Sequence, residues 1–132
     1  MKELVLIFGG IFGTLSVILG AFGAHALKRS FNEDQLKSFE TGVKYQMYHA
    51  IVLIIAGVTF PFLKGLEIVM AWCFIIGIIL FSFSIYGLTW SSSRGRKIKI
   101  LGSITPLGGF LLIIGWILLT INLVDIAVYL KP

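Results

Sequence analysis

Charge is the scarcest commodity in this chain. Of its 132 residues, 13% are Asp, Glu, Lys or Arg, and only six of these are acidic, against 58% hydrophobic residues and a mean hydropathy of +0.99. A soluble domain carries about 25% charged residues, so the composition excludes one and leaves a polytopic membrane protein. Cysteine is nearly missing as well. Cys73 alone rules out an intrachain disulfide and every multi-cysteine metal site. No Asp, Glu, Lys or Arg falls inside an apolar run, Glu3, Glu67 and Asp125 lying at or beyond their ends. Coupled transport, which relies on a buried ionisable group or a broken helix near the midplane, is therefore disfavoured. Passive conduction and lipid handling need no such group. Short alternating segments are absent too, which excludes a membrane β-barrel and makes the fold class all-α.

What is present is four apolar runs in one domain over 1–132: Leu4 to Ala24, about Tyr45 to Leu63, Ile68 to Thr89, and Ile100 to Leu123. Each is close to the ~20 residues that cross a hydrocarbon core. The first is too long for the core of a cleaved signal peptide, about 7 to 15 residues, and is expected to stay as a span. The basic residues gather between the runs: Lys28, Arg29, Lys37 and Lys44 in the first loop, Arg94, Arg96, Lys97 and Lys99 in the third. Basic residues beside spans resist translocation, so the expectation is a cytoplasmic-membrane protein with loops one and three inside and both termini outside. The net charge of +5 and pI near 9.6 are then explained by topology and anionic headgroups, not by nucleic acid.

The loops differ in content. Pro61 to Glu67 is short enough to force a tight antiparallel hairpin. Ser91-Ser92-Ser93 opens the third loop and reads as plain linker, since no histidine or acid stands at a spacing that would activate a serine. In the first loop, Ser30 and Glu33 have capping-box spacing, Glu33/Lys37 and Glu40/Lys44 are i,i+4 pairs, and Leu36, Phe39 and Val43 recur helically. An amphipathic helix is expected from about Asn32, lying at the interface or running into the second span.

Small residues form two stripes. Gly9, Gly13, Ser16, Gly20 and Gly23 lie on one face of the first span; Cys73, Gly77, Ser84, Gly87 and Ser91 repeat the device in the third. Lipid offers no hydrophobic drive for helix association, so these faces are expected to pack inside the bundle, with a homo-oligomer interface as the other use. Gly102, Thr105 and Gly109 continue the pattern into the fourth span, where Pro106 falls in the first turns and is expected to be structural.

The unusual polar residues collect at the cytoplasmic depth: His25, Tyr45, Gln46, Tyr48, His49, Ser84, Tyr86 and Thr105. His49 shares a helical face with Gln46 and is expected to point inward, either as a neutral interhelical hydrogen-bonding group or as the centre of a ligand pocket. Two histidines would suffice for a haem, but His25 sits at the membrane rim, and Cys73 is on the other side of the bilayer from both. No metal or other cofactor is expected.

Four segments carry a resemblance. Gly-Ala-Phe-Gly-Ala-His-Ala-Leu at 20–27, Tyr-Gln-Met-Tyr-His-Ala at 45–50, Leu-Phe-Ser-Phe-Ser-Ile-Tyr at 80–86 and Leu-Gly-Ser-Ile-Thr-Pro-Leu-Gly-Gly at 101–109 are similar to the YgdD/YwdK-like family. These are small four-span membrane proteins of unknown function, related to the mitochondrial transmembrane protein 256. The resemblance implies signature positions at His25, Tyr45, His49, Tyr86, Thr105, Pro106, Gly108 and Gly109, the last two joining Gly9, Gly13, Gly20, Gly77 and Gly87 as helix-packing residues. It implies no activity, and Phe83 stands where the family pattern suggests a small residue. The resulting expectation is a non-enzymatic accessory or interaction module, with membrane lipids and other membrane proteins as partners. The alternative is small-molecule, lipid or haem binding or transport around His49.

Overall fold

The computed structural model describes residues 1–96 and 98–129; Lys97, one of the eight basic loop residues, lies outside them. Five α-helices succeed one another: α1 (Lys2–His25), α2 (Glu33–Thr59), α3 (Gly65–Ile78), α4 (Ser84–Ser93) and α5 (Lys99–Tyr129). A 3₁₀ turn at Leu27–Arg29 precedes α2, and a π-helical segment at Ile79–Phe83 joins α3 to α4. No strand occurs among the described residues. Among the described residues three helical stretches are long and apolar enough to cross a membrane: Lys2–Gly23 of α1, the continuous 29-residue helix Gly65–Ser93, and α5. The 27 residues of α2 give it a length of roughly 40 Å, but Tyr45, Gln46, Tyr48 and His49 interrupt its apolar half.

Local chemistry accounts for the helix ends and corrects several expectations. The capping box is Asn32 with Gln35, not Ser30 with Glu33: Gln35 N–H donates to Asn32 Oδ1 at 2.8 Å, and Asn32 N–H donates to Gln35 Oε1 at 3.0 Å. Of the two i,i+4 pairs, Glu40 and Lys44 meet at 4.0 Å, both largely exposed, so the pair adds little stability. From this start α2 runs unbroken until Pro61 forces Phe60 into extended backbone. The serine triplet is not linker either, but the last turn of α4. Arg96 N–H bonds to Ser91 O and Gly95 N–H to Ser92 O, with Gly95 in the left-handed region at φ 71°, a complete Schellman stop. Pro106 lies eight residues into α5, beyond the turn whose donors are unpaired anyway, so it deprives the Gly102 carbonyl of its usual partner.

The helices pair as two hairpins. α1 packs along α2, and α5 packs along α3 and the π segment, while the hairpins meet where α2 touches α3, the π segment and α4. Both small-residue stripes face inward along these contacts. A Cβ at Gly9 would lie 2.8 Å from Ile54, one at Gly23 2.9 Å from Phe39, one at Gly77 2.7 Å from Leu112 and one at Gly87 2.8 Å from Leu101; Gly13 and Gly20 stand in ordinary contact with Ala50 and Val43. The closest approach is at Gly108, where a Cβ would lie 2.3 Å from the Phe81 nitrogen and 2.7 Å from the Leu80 carbonyl carbon. Its neighbour Gly109 has ordinary clearance from the Phe81 ring. Phe83 takes no part in this contact and sits half-exposed, its ring against Phe12 and Tyr86.

The main core, including Val5, Phe12, Leu53, Met70, Phe74 and Leu112, lies between the hairpins, and a smaller one of Leu27, Phe31 and Phe39 closes the basic end. Cys73 is buried. At the opposite end Glu67, itself buried, accepts from Leu63 N–H at 3.1 Å and fixes the start of α3, while Lys64 pairs with Asp125 at 3.4 Å.

Replacing Gly108 with Ala drives a methyl group into backbone and should cost about 3 kcal/mol. Gly102→Ala, whose Cβ meets nothing within 4 Å, should leave stability equal or slightly raised. Thermal unfolding of the two variants in one detergent checks the pair, and a Gly108→Ala protein that melts with the parent refutes the contact.

Candidate functional site

The polar residues gathered at one depth by sequence fall into three separate arrangements. In the first, Gln46 is fully buried and ties three helices together: its Nε2 donates to the Phe12 carbonyl of α1 at 2.9 Å, and its Oε1 accepts from Tyr86 Oη of α4 at 2.8 Å. Ser82 completes the tie by donating to the Gly42 carbonyl at 2.8 Å. One consequence is an orphan. A helical serine usually bonds the carbonyl four residues back; for Ser16 that carbonyl is Phe12's, already engaged by Gln46, and the buried Ser16 Oγ has no partner.

The second arrangement centres on His49. Trp116 of α5 donates its indole N–H to His49 Nε2 at 3.1 Å, and His49 Nδ1 lies 2.6 Å from the Tyr45 carbonyl. An indole nitrogen only donates, so Nε2 is the acceptor and Nδ1 carries the hydrogen. Both ring nitrogens are thereby engaged. His49 is further enclosed by the rings of Tyr45, Phe74 and Trp116. In the third arrangement the Ser84 and Thr105 hydroxyls lie 2.7 Å apart between α4 and α5; each has one hydrogen, so one of them donates across the pair while the other donates to its own helix, Thr105 to the Leu101 carbonyl or Ser84 to the Phe81 carbonyl. His25, at the end of α1, is exposed and joins none of these. A haem held by His25 and His49 does not fit this arrangement, since His49 offers no free ring nitrogen.

What the sequence did not disclose is the space between α2 and α5. These helices do not pack closely along their length, and the His49–Trp116 hydrogen bond is a strut across the gap. An apolar chamber of about 930 Å³ surrounds the strut, walled by Tyr45, Tyr48, Phe110 and Ile113. A second chamber of about 690 Å³ continues toward the basic end, bordered by Asn32, Gln35, Ser38, Thr41 and Ser92. Phe81 and Pro106 line both chambers, so the two form one lateral groove. Gly102, with its carbonyl released by Pro106, borders the polar chamber. Among the described residues no Lys or Arg lines either chamber, and Asp34 is the sole charged lining residue.

Polar burial also extends to the opposite end, contrary to the expectation of one depth. Asn122 is buried in α5, donating to the Leu118 carbonyl at 2.9 Å and lying 3.9 Å from Met70 Sδ. An asparagine inside an apolar run is a legible signal. Trp116 carried none, because a tryptophan in a span also reads as a lipid-facing residue.

Comparison with known proteins gives one consistent result. Residues 19–109 match the family model described as "Protein of unknown function (DUF423)". The chain is 40% identical over 121 residues to UPF0382 membrane protein YwdK of Bacillus subtilis (strain 168), covering 90% of this chain and 94% of the relative. It is 40% identical over 123 residues to UPF0382 membrane protein SAB0533 of Staphylococcus aureus (strain bovine RF122 / ET3-1), covering 90% and 93%. No solved structure matches.

The strut is open to a direct measurement. Trp116→Phe keeps an aromatic ring but leaves His49 Nε2 without a donor, and should lower stability by about 1–2 kcal/mol. Adding His49→Leu removes the stranded acceptor and should recover part of the loss, so a double-mutant cycle with no coupling would refute the strut.

Proposed function

Because the chain belongs to the DUF423 family, whose curated relatives are named as membrane proteins, we propose that it is a four-span, non-enzymatic binding module of the cytoplasmic membrane whose α2/α5 groove holds a membrane amphiphile. The groove is the observation that carries this reading. It is the more polar toward the basic end, where Asn32, Gln35, Ser38, Thr41 and Ser92 border it, and more apolar around the strut, as an amphiphile with its head near the membrane surface requires, and each chamber falls within the ~300–1,000 Å³ range of ligand sites.

Four spans are supported by the course of α2 along α1. Phe39 meets Gly23 near one end and Gly57 meets Leu6 near the other, so α2 covers nearly the same thickness as its neighbour. Orientation follows the basic loops, which places the polar chamber at the cytoplasmic surface. A non-enzymatic role is supported by the spent polar groups: Ser91 and Ser93 bond carbonyls of their own helix, and His49 is occupied on both nitrogens. Lipid is the favoured partner over a second copy or another membrane protein, because the small-residue stripes suited to helix association are used within the chain.

The decisive variant is Gly102→Phe, which projects a ring into the chamber toward the basic end from a position where an added Cβ meets no atom within 4 Å. Native mass spectrometry of gently purified parent protein should show retained lipid mass, and the variant should lose most of it while melting as the parent does. Equal lipid retention would refute the groove as the site. For orientation, Arg96→Cys in a Cys73→Ser background should resist an impermeant maleimide added to intact cells and react after lysis; labelling from outside would reverse the topology.

A further inference from the structure

A different face of α4 borders a second recess. It is a cleft of about 360 Å³ between the end of α1 and the last turns of α4, and its lining includes Phe22, Leu27, Ser30, Trp90, Ser93 and Arg94. The Arg94 guanidinium carbon lies over the Trp90 ring, 4.7 Å from its centroid. A guanidinium held by cation–π attraction keeps N–H groups available for a bidentate acceptor. Neither ion pair among the described residues involves Arg94. No acidic side chain lines the cleft. Lys28 and Arg29 stand exposed on the adjoining 3₁₀ turn, and the Ser30 hydroxyl borders the same space.

We propose that this cleft binds the phosphate of an anionic phospholipid, with Arg94 as the principal contact and Ser30 as a hydroxyl donor. The charge pattern selects the head: several cations and no acid favour a net negative group over a zwitterion, whose ammonium has no carboxylate to meet. The aromatic flank of Phe22 and Trp90 selects a lipid over a free phosphate. Phe22 and Trp90 are half-exposed beside the cleft, where an interfacial aromatic lies against the first part of an acyl chain.

The test uses the full-length protein in detergent, titrated with equimolar phosphatidylglycerol and phosphatidylcholine and read by native mass spectrometry. The parent should prefer phosphatidylglycerol, and Arg94→Gln should lower that preference about fivefold. Arg94→Lys, which keeps the charge and loses the planar fork, should fall between, and Lys28→Gln should change the ratio far less. Three results overturn the proposal: an unchanged ratio in Arg94→Gln, an equal fall in Lys28→Gln that reveals only a diffuse basic surface, or displacement of the lipid by millimolar inorganic phosphate. Should Arg94→Gln not fold, Ser30→Leu crowds the same cleft and must lower the ratio. Gly102→Phe should keep the phosphatidylglycerol preference, so this site and the α2/α5 groove stand or fall separately.

Discussion

The approach of Gly108 to the π segment sets the rest of the arrangement. In lipid, helices gain nothing from hiding apolar surface from water, so they associate by packing and by interhelical hydrogen bonds. At Gly108 the α5 backbone comes against the backbone of Leu80 and Phe81 with no side chain between. The Ser84–Thr105 bond lies about one turn away along both helices. With α5 held to α3 and α4 in this way, it stands apart from α2 over most of its length, and a groove opens that a squarer bundle would have filled with side chains.

The π segment has a second role. A wider turn shifts the helical phase of everything after it. Beyond it, α4 turns Tyr86 toward Gln46 of α2 and Ser84 toward Thr105 of α5. Ser82 within the segment reaches the Gly42 carbonyl. A buried polar group in an apolar medium costs several kcal/mol unless paired, and nearly all such groups here are paired across helices or with their own backbone. Ser16 is the exception, and its partner was taken by the very glutamine that ties α1 into the bundle.

Much of the fold was legible because membrane helices announce themselves by length and hydropathy, and because small residues at helical spacing mark close approach. The stripes through Gly9 and Gly77 carry that signal, and in the structure an added Cβ at either would crowd a neighbouring helix. Errors came where a boundary depended on competition between neighbours: Asn32 displaced Ser30 as the cap because its own Gln35 stood at the matching position, and Gly95 carried α4 past a serine triplet that looked like linker. The π segment left no trace in composition. As for the site, residue types showed which groups were polar but not toward which neighbour each turned. His49 and Gln46 share a face of α2, yet one reaches α5 and the other reaches α1 and α4. The groove itself is a property of which helices stand apart over most of their length, and no residue encodes it alone.

The division into two hairpins bears on how the protein is made. α1 and α2 form nearly all their mutual contacts before residue 60, and α3 to α5 complete theirs afterwards. Each half is therefore held by contacts of its own, and the two are completed in the order of the chain. The Gln46–Phe12 bond belongs to the first pair and is satisfied at once, whereas Tyr86 and Ser82 find their acceptors only when the second pair docks. Those two hydrogen bonds span the seam between the halves, so forming them requires the two to meet in one register.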